Sequence, residues 1–394
     1  MAISALATPN LRSHSLNPVR FEFSESDGSV FKFLVKIYFE TYFGSDHYEL
    51  GAQFVQFPDT NDDIKFDAQE IMRGRVKPAQ TGTYGSNPGL QTLSVQRYKY
   101  DIISKDIDGT ELDTHSETTP QYIYYGGIKW QEWEGAHFFV DWLPSQLSFL
   151  TWQPNNQKID IYQHVYITYL PLETGITLTL KAKWYFSNNT NDEDTITAYA
   201  VTSLVPYTFI ASMIDWVAPE YDYDDPTIVK YEVWLEVADE PVTEVRTYVI
   251  DRAVHRNKKR FVWANTIGGI DSIMCTGNYA DEYEYTGSEA IIYVPADYDV
   301  VDGQFEPYDF AEQGMPMAST GWKTKDEIDH LRDAILSLAL FEDDGKQLLP
   351  ITIARDTIRI LESEQQLYAL QWKYKHLWRN KVYTGPGYDN LVRA

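Results

Sequence analysis

The sequence predicts a mainly β, modular protein. We expect an N-terminal β domain, then a fibronectin/Ig-like β-sandwich, then a C-terminal α+β domain with one helix. Three observations carry this. The chain holds 29 Tyr, 18 Phe and 11 Trp, an aromatic content of 15%, and aromatic and β-branched residues suit a pleated, half-buried surface. Apolar residues repeat with period two in many short runs separated by turn chemistry. Only one stretch repeats with the period of a helix. At 394 residues the chain is long enough for two or three cores.

Residues 1–18 are polar and aperiodic, and read as an extended arm with isolated anchors at Ile3, Leu6, Leu11 and Leu16. With so little apolar surface the arm is expected to order only against neighbouring molecules. The N-terminal β-rich domain follows, 19–155. In it Val19, Phe21 and Phe23, then Phe31, Phe33, Val35, Ile37 and Phe39, alternate with polar residues about Asp27-Gly28. This pattern predicts a hairpin. From Tyr42 to Asn155 the pattern is ragged and predicts short strands and long loops. Between 156 and 255 lie "IDIYQHVYITYL", "GITLTLKAKWYF", "TITAYAVTSLV", "TIVKYEVWLEV" and "TEVRTYVID". These strand-like runs, split by turn clusters, predict the sandwich, with Tyr231, Val233, Leu235 and Val237 on its inner face. The third domain spans 256–383. "FVWAN" and "IDSIMCTG" read as hairpin arms about Gly268-Gly269. Thr324 with Glu327 forms a capping box for a helix from Lys325 to about Leu340, burying Ile328, Leu331, Ile335 and Leu338. "LLPITIARDTIRIL" and "LYALQWKYKHL" predict a last hairpin, and 384–394 a tail.

The formal net charge is -25. That balance favours solubility and argues against a general nucleic-acid binder. One cysteine, Cys275, excludes an intrachain disulfide and a Cys-rich zinc site. The opening residues lack a signal-peptide pattern, and no apolar run reaches the ~20 residues of a membrane span. The expectation is a protein made in a cytoplasm, without a membrane span.

Candidate chemistry is sparse. Gly268-Gly269 has no phosphate-loop spacing and no following helix, so a turn is the expected role. The eight histidines form no HxH or HExxH pair, and no GxSxG elbow occurs. No catalytic, cofactor or metal residues are therefore assigned. "NNTNDED" (188–194) and "YDYDDP" (221–226) offer oxygen ligands for calcium, but read equally as solvated turns. "KWQEWEGAHFFVDW" (129–142) places Trp130, Trp133 and Trp142 near Glu132, Glu134 and Asp141. It fits a core or interface, a glycan platform, or a pair of glycosidase carboxylates. The basic cluster "HRNKKR" (255–260), with Arg256, Lys258, Lys259 and Arg260, is an exposed linker or a docking point for an acidic neighbour.

Three stretches taken in order carry a resemblance. They are "KYEVWLEVADEPVTEVRTYVIDR", "FVWANTIGGIDSIMCTG" and "TGWKTKDEIDHLRDAILSLALFEDDGKQLLPITI". Together they resemble uncharacterised tail-associated virion structural proteins of tailed phages and prophages of Bacteroides-type bacteria. The resemblance covers the C-terminal half, from near Gly175 to Tyr383, and brings no catalytic residue. It implies a phage virion structural protein of the tail or its distal end, located in the virion. Such a protein acts by self-association and by docking to other tail proteins. The alternative is a receptor- or glycan-binding module at the tail tip, taking a host surface glycan through the tryptophans above.

Overall fold

A computed structural model describes residues 3–26, 29–79, 88–133, 138–212, 228–294, 296–297, 304–344, 347–363 and 367–378. Residue contacts divide the chain into two compact units. The first comprises Met1–Arg252, Val262–Ser272 and Leu336–Ala339, the second Ala253–Phe261, Ile273–Ile335 and Leu340–Ala394.

The first unit contains two sandwiches. In the N-terminal one, a sheet of β1 (Ile3–Ala7), β3 (Arg20–Glu25) and β6 (Asp63–Asp67), in the order β1-β3-β6, faces a second sheet. That sheet is ordered β2-β9-β8-β4-β5, from β2 (Arg12–His14), β4 (Lys32–Glu40), β5 (Tyr48–Gln56), β8 (Val95–Lys105) and β9 (Glu111–Tyr124). Alternation decides the faces: Phe21 and Phe23 from one sheet meet Val35, Ile37, Tyr98, Tyr100 and Ile102 from the other. The ring of Phe21 meets Tyr100 edge-on at 5.0 Å.

Three expectations are corrected here. The expected arm contributes two strands: β1 pairs antiparallel with β3, and β2 parallel with β9. A sheet edge supplies backbone hydrogen bonds, so the segment needs little apolar surface of its own. Only Ile3 of its four anchors is buried. The runs at Phe21 and Phe33 are not a hairpin, since β3 pairs with β1 and β6 while β4 pairs with β5 and β8. Two strands whose apolar faces look at each other belong to opposite sheets; Asp27-Gly28 lies outside the described residues. Finally, the ragged region holds long strands, β8 with 11 residues and β9 with 14. On β9 the exposed residues are mostly Thr and Ser and none is strongly apolar, which hides the alternation.

The second sandwich has one sheet ordered β10-β17-β15-β12-β13, with β16 on β15, and an opposing sheet β11-β14-β7. Its strands are β7 (Gly89–Leu90), β10 (Gln157–Ile159), β11 (Tyr166–Tyr169), β12 (Thr177–Phe186), β13 (Asn191–Ala200), β14 (Tyr207–Ile210), β15 (Ile228–Val237), β16 (Glu240–Pro241) and β17 (Arg246–Ile250). The run β17-β15-β12-β13 opposed by β11 and β14 matches the G-F-C-C′ sheet opposed by B and E in immunoglobulin-type sandwiches. Near the start of β15, the Tyr231 hydroxyl donates to the Ala211 carbonyl at 2.8 Å, tying β15 to the residue that follows β14. Trp184 on β12 packs against Tyr231 with ring centroids 5.3 Å apart. Tyr231, Val233 and Leu235 are fully buried and Val237 is half-buried on the expected inner face. The boundary expected at 155/156 is crossed by the packing. Strand β7 joins the second sandwich, and Phe138, Phe139, Leu143, Phe149 and Leu150 belong to its core.

A six-stranded sheet runs β19-β18-β23-β24-β25-β22. Its strands are β18 (Lys259–Ala264), β19 (Ile270–Cys275), β22 (Met317–Ser319), β23 (Leu340–Asp343), β24 (Leu348–Glu362) and β25 (Tyr368–His376). The last two form the expected final hairpin. The helix spans Lys325–Leu336. Glu327 Oε2 accepts from both the Thr324 backbone N–H and hydroxyl at 2.9 Å, the expected capping box. It buries Ile328 and Leu331, while Ile335 is half-buried and Leu338 is exposed. The helix stops short of the expected Leu340 because the Ser337 hydroxyl accepts from the Ala339 N–H at 3.1 Å, a local bond that competes with helical pairing. A separate two-stranded ribbon, β20 (Tyr283–Ile291) and β21 (Phe305–Gly314), was not anticipated from the sequence. The tail, 384–394, lies outside the described residues.

Candidate binding site

Of the three candidate tryptophans, two are brought together. Trp130 opens a single 3-10 turn, Trp130–Glu132, and this turn sets its ring against Trp133, 5.8 Å apart and inclined by 18°. Arg20 lies over both rings, 5.7 Å from Trp130 and 5.3 Å from Trp133, within cation–π range. It opens β3, where alternation turns Phe21 into the core and leaves Arg20 exposed. Trp142 is held elsewhere, stacked on Phe138 at 5.1 Å and tilted against Trp152 at 5.2 Å.

Beside Trp133 is a cavity of about 130 Å³, lined among others by Pro9, His14, Arg20, Trp133, Phe138 and Phe139. The His14 ring sits 4.6 Å from Phe138 and 4.5 Å from Phe139. Burial draws its pKa down to about 3, so the imidazole is neutral at neutral pH. Its Nε2 is buried and has no hydrogen-bond partner among the described residues. Neither His14 nor Arg20 was flagged by the sequence: a lone histidine and a lone arginine far from the tryptophans carry no local signal. The glycosidase reading gains nothing here. Glu132 pairs with Lys129 at 3.3 Å, Asp141 is exposed, and Glu134 lies outside the described residues.

The basic cluster is partly engaged. Lys259 pairs with Glu342, and the Arg260 guanidinium lies 3.9 Å from Asp343. Arg256 is exposed and Lys258 half-buried. Glu342 also accepts from the Tyr374 hydroxyl and from His376 Nε2, each at 2.9 Å. Burial pushes the Glu342 pKa up, but the bonds from His376, Lys259 and Tyr374 outweigh it and hold it at about 2.

The Gly-Gly segment is a turn, as expected, but a buried one. Asn265 Oδ1 accepts from the Gly269 N–H at 2.7 Å, and its amide donates to the Leu150 carbonyl at 2.7 Å. Gly268 takes φ 89°, while Gly269 is needed for close approach, since a Cβ there would stand 2.0 Å from the Leu150 carbonyl oxygen. Cys275 is buried, and desolvation pushes its thiol up to about 12, the mark of a core residue. Of 188–194 only the start is a turn, where Asn188 accepts from the Thr190 N–H at 3.0 Å, while 191–194 open strand β13; 221–226 lies outside the described residues. Among the described residues no group of three or more His, Cys, Asp or Glu could hold a metal ion. No described helix is long and apolar enough to cross a membrane.

The ribbon β20–β21 is the other notable surface. All nine residues of β20 are exposed, as are the first six of β21. Neither strand pairs with a third among the described residues. Residues 281–314 contain ten acidic residues, and no Lys or Arg occurs from 261 to 322. That absence, alternating with Tyr and Phe, was legible but unread.

No protein-family model matches the sequence, and no curated protein matches it. Among solved structures, the crystal structure of CBD12 from CALX1.2 is 7% identical, covering 58% of this chain and 79% of that one, at a TM-score of 0.17. The β-sandwich assignment rests on the strand order and core described above.

Proposed function

We propose that this chain is a structural docking protein of a phage tail, acting by association with neighbouring tail proteins and without catalysis. One observation carries the docking reading: the ribbon Tyr283–Ile291 and Phe305–Gly314 projects acidic and aromatic side chains on both faces. A ribbon of two strands is marginal by itself, and it buries little apolar area here. Aromatic groups are enriched at interfaces, and the ten acids of 281–314, of which Glu282 and Glu284 are paired with Lys373 and Lys375, still leave an excess of negative charge that selects a basic partner surface. A second copy, at -25 overall, is electrostatically the poorer occupant. The phage assignment itself is supported by the resemblance of the C-terminal half.

The test is particle composition. Virions purified from a producing host should contain the chain by mass spectrometry. A variant with 284–312 replaced by a two-residue turn should fold, by its circular dichroism and melting, yet be lost from particles. Absence of the wild-type chain from virions would remove the phage reading. Normal incorporation of the shortened variant would remove the ribbon as the docking element.

A further inference from the structure

Two unsatisfied groups converge on the cavity beside Trp133. His14 is buried, its Nε2 has no partner among the described residues, and it lines the cavity. A buried polar atom without a bond costs free energy unless something supplies one. Arg20 also lines the cavity. Among the described residues it has no carboxylate partner, although the chain carries a charge of -25. Asp67, opposite it in register on β6, accepts instead from the backbone N–H groups of Val19 and Gln69, both at 2.9 Å. The guanidinium is therefore held by the two indole rings and keeps its N–H donors available.

We propose that this cavity binds the terminal residue of an acidic saccharide, a sugar ring bearing a carboxylate. Trp133, which lines the cavity and is backed by Trp130, forms the stacking surface for the C–H face of the ring. Arg20 receives the carboxylate, whose two oxygens match the guanidinium fork. His14 takes a ring hydroxyl. A hydroxyl both donates and accepts, so it satisfies the neutral imidazole in either tautomer. An ammonium group would be repelled by Arg20, and a plain aliphatic acid would leave His14 unpaired. The volume, about 130 Å³, is below the ~300–1,000 Å³ of sites for larger ligands, so it accommodates an end residue, with the chain leaving past Trp130, which is 60% exposed. This binding is separate from the ribbon, which lies in the other unit.

The experiment is a tryptophan-fluorescence titration of the full chain with D-glucuronic acid, D-glucose and acetate. Saturable quenching is expected with glucuronic acid, with affinity at least about tenfold above that for glucose or acetate. Arg20→Gln should erase the difference between the acid and the neutral sugar. His14→Phe keeps the aromatic contacts but fills the cavity, and should weaken both sugars. Trp130→Ala, a change at an exposed side chain, should weaken both while the melting temperature stays at the wild-type value. This variant serves the same purpose if His14→Phe does not fold. No saturable response to glucuronic acid at millimolar concentration, or an unchanged preference in Arg20→Gln, overturns the proposal. Because the isolated chain is titrated, the outcome does not depend on whether the protein is found in virions.

Discussion

Two neighbouring strands behave in opposite ways. Every residue of β19, Ile270–Cys275, is buried, and every residue of β20, Tyr283–Ile291, is exposed. Neither shows the alternation of a half-buried strand. In β19 burial is possible because each polar group finds a partner. The Thr151 hydroxyl donates to Asp271 Oδ1 at 2.5 Å, and the Gln153 amide to the Ser272 carbonyl at 2.7 Å. In β20 order comes from cross-strand contacts. The Phe310 ring lies so close over Gly287 that a Cβ there would stand 2.4 Å from it. At the base Lys373 pairs with Glu282 at 2.6 Å and Lys375 with Glu284 at 2.9 Å. A fully buried strand is an energetic necessity of the fold, and a fully exposed one contributes little to stability. The difference separates stability from recognition.

That contrast can be broken most sharply at the buried turn. Gly269→Ala should cost about 3 kcal/mol or more, because the new Cβ meets backbone at Leu150 that has no room to move. Urea unfolding should show a lower midpoint at unchanged slope; a wild-type midpoint would mean that the turn is not held as described. Next in size is Glu342→Gln, which leaves Lys259 without its carboxylate and should cost about 3 kcal/mol at neutral pH. The sign follows from the depressed pKa. The stabilisation is complete above the ordinary value of 4.5 and fades as pH falls from there toward about 2. Melting temperatures of wild type and variant should therefore converge in acid, and a gap independent of pH would argue against the carboxylate as the cause.

Thr324→Ala should remove the helix cap at a cost of about 1 kcal/mol, read as a small drop in melting temperature. No change would show that Glu327 suffices without the hydroxyl. The smallest effect on stability belongs to the ribbon. Tyr283→Ser with Tyr308→Ser, at residues 56% and 53% exposed, should shift stability by only about 0.5 kcal/mol while lowering incorporation into particles. A large loss of stability would mean that the ribbon is part of the core, and the contrast between the two strands would fall.

The mainly β class, the longer strands β12, β13 and β15 and the strand β17 of the second sandwich, the capped helix and the final hairpin were legible from the sequence alone. Each rests on contacts within a few residues: alternation on β15, the Thr324–Glu327 box, turn chemistry between β12 and β13. Two tryptophans of the candidate site, Trp130 and Trp133, could be named for the same reason, since they meet within one short turn. Tertiary structure alone decided which runs pair, because alternation marks a face and says nothing about the sheet to which a strand belongs. That is why Phe21 and Phe33, read as one hairpin, lie in opposing sheets. It also decided that the first residues are strands, because an edge elsewhere in the chain supplies their hydrogen bonds. Of the partners of the tryptophans, His14 comes from this segment and Arg20 from the strand that follows it. Their chemistry arises from burial and from an unshared charge, properties of the surroundings that a string of residues does not contain.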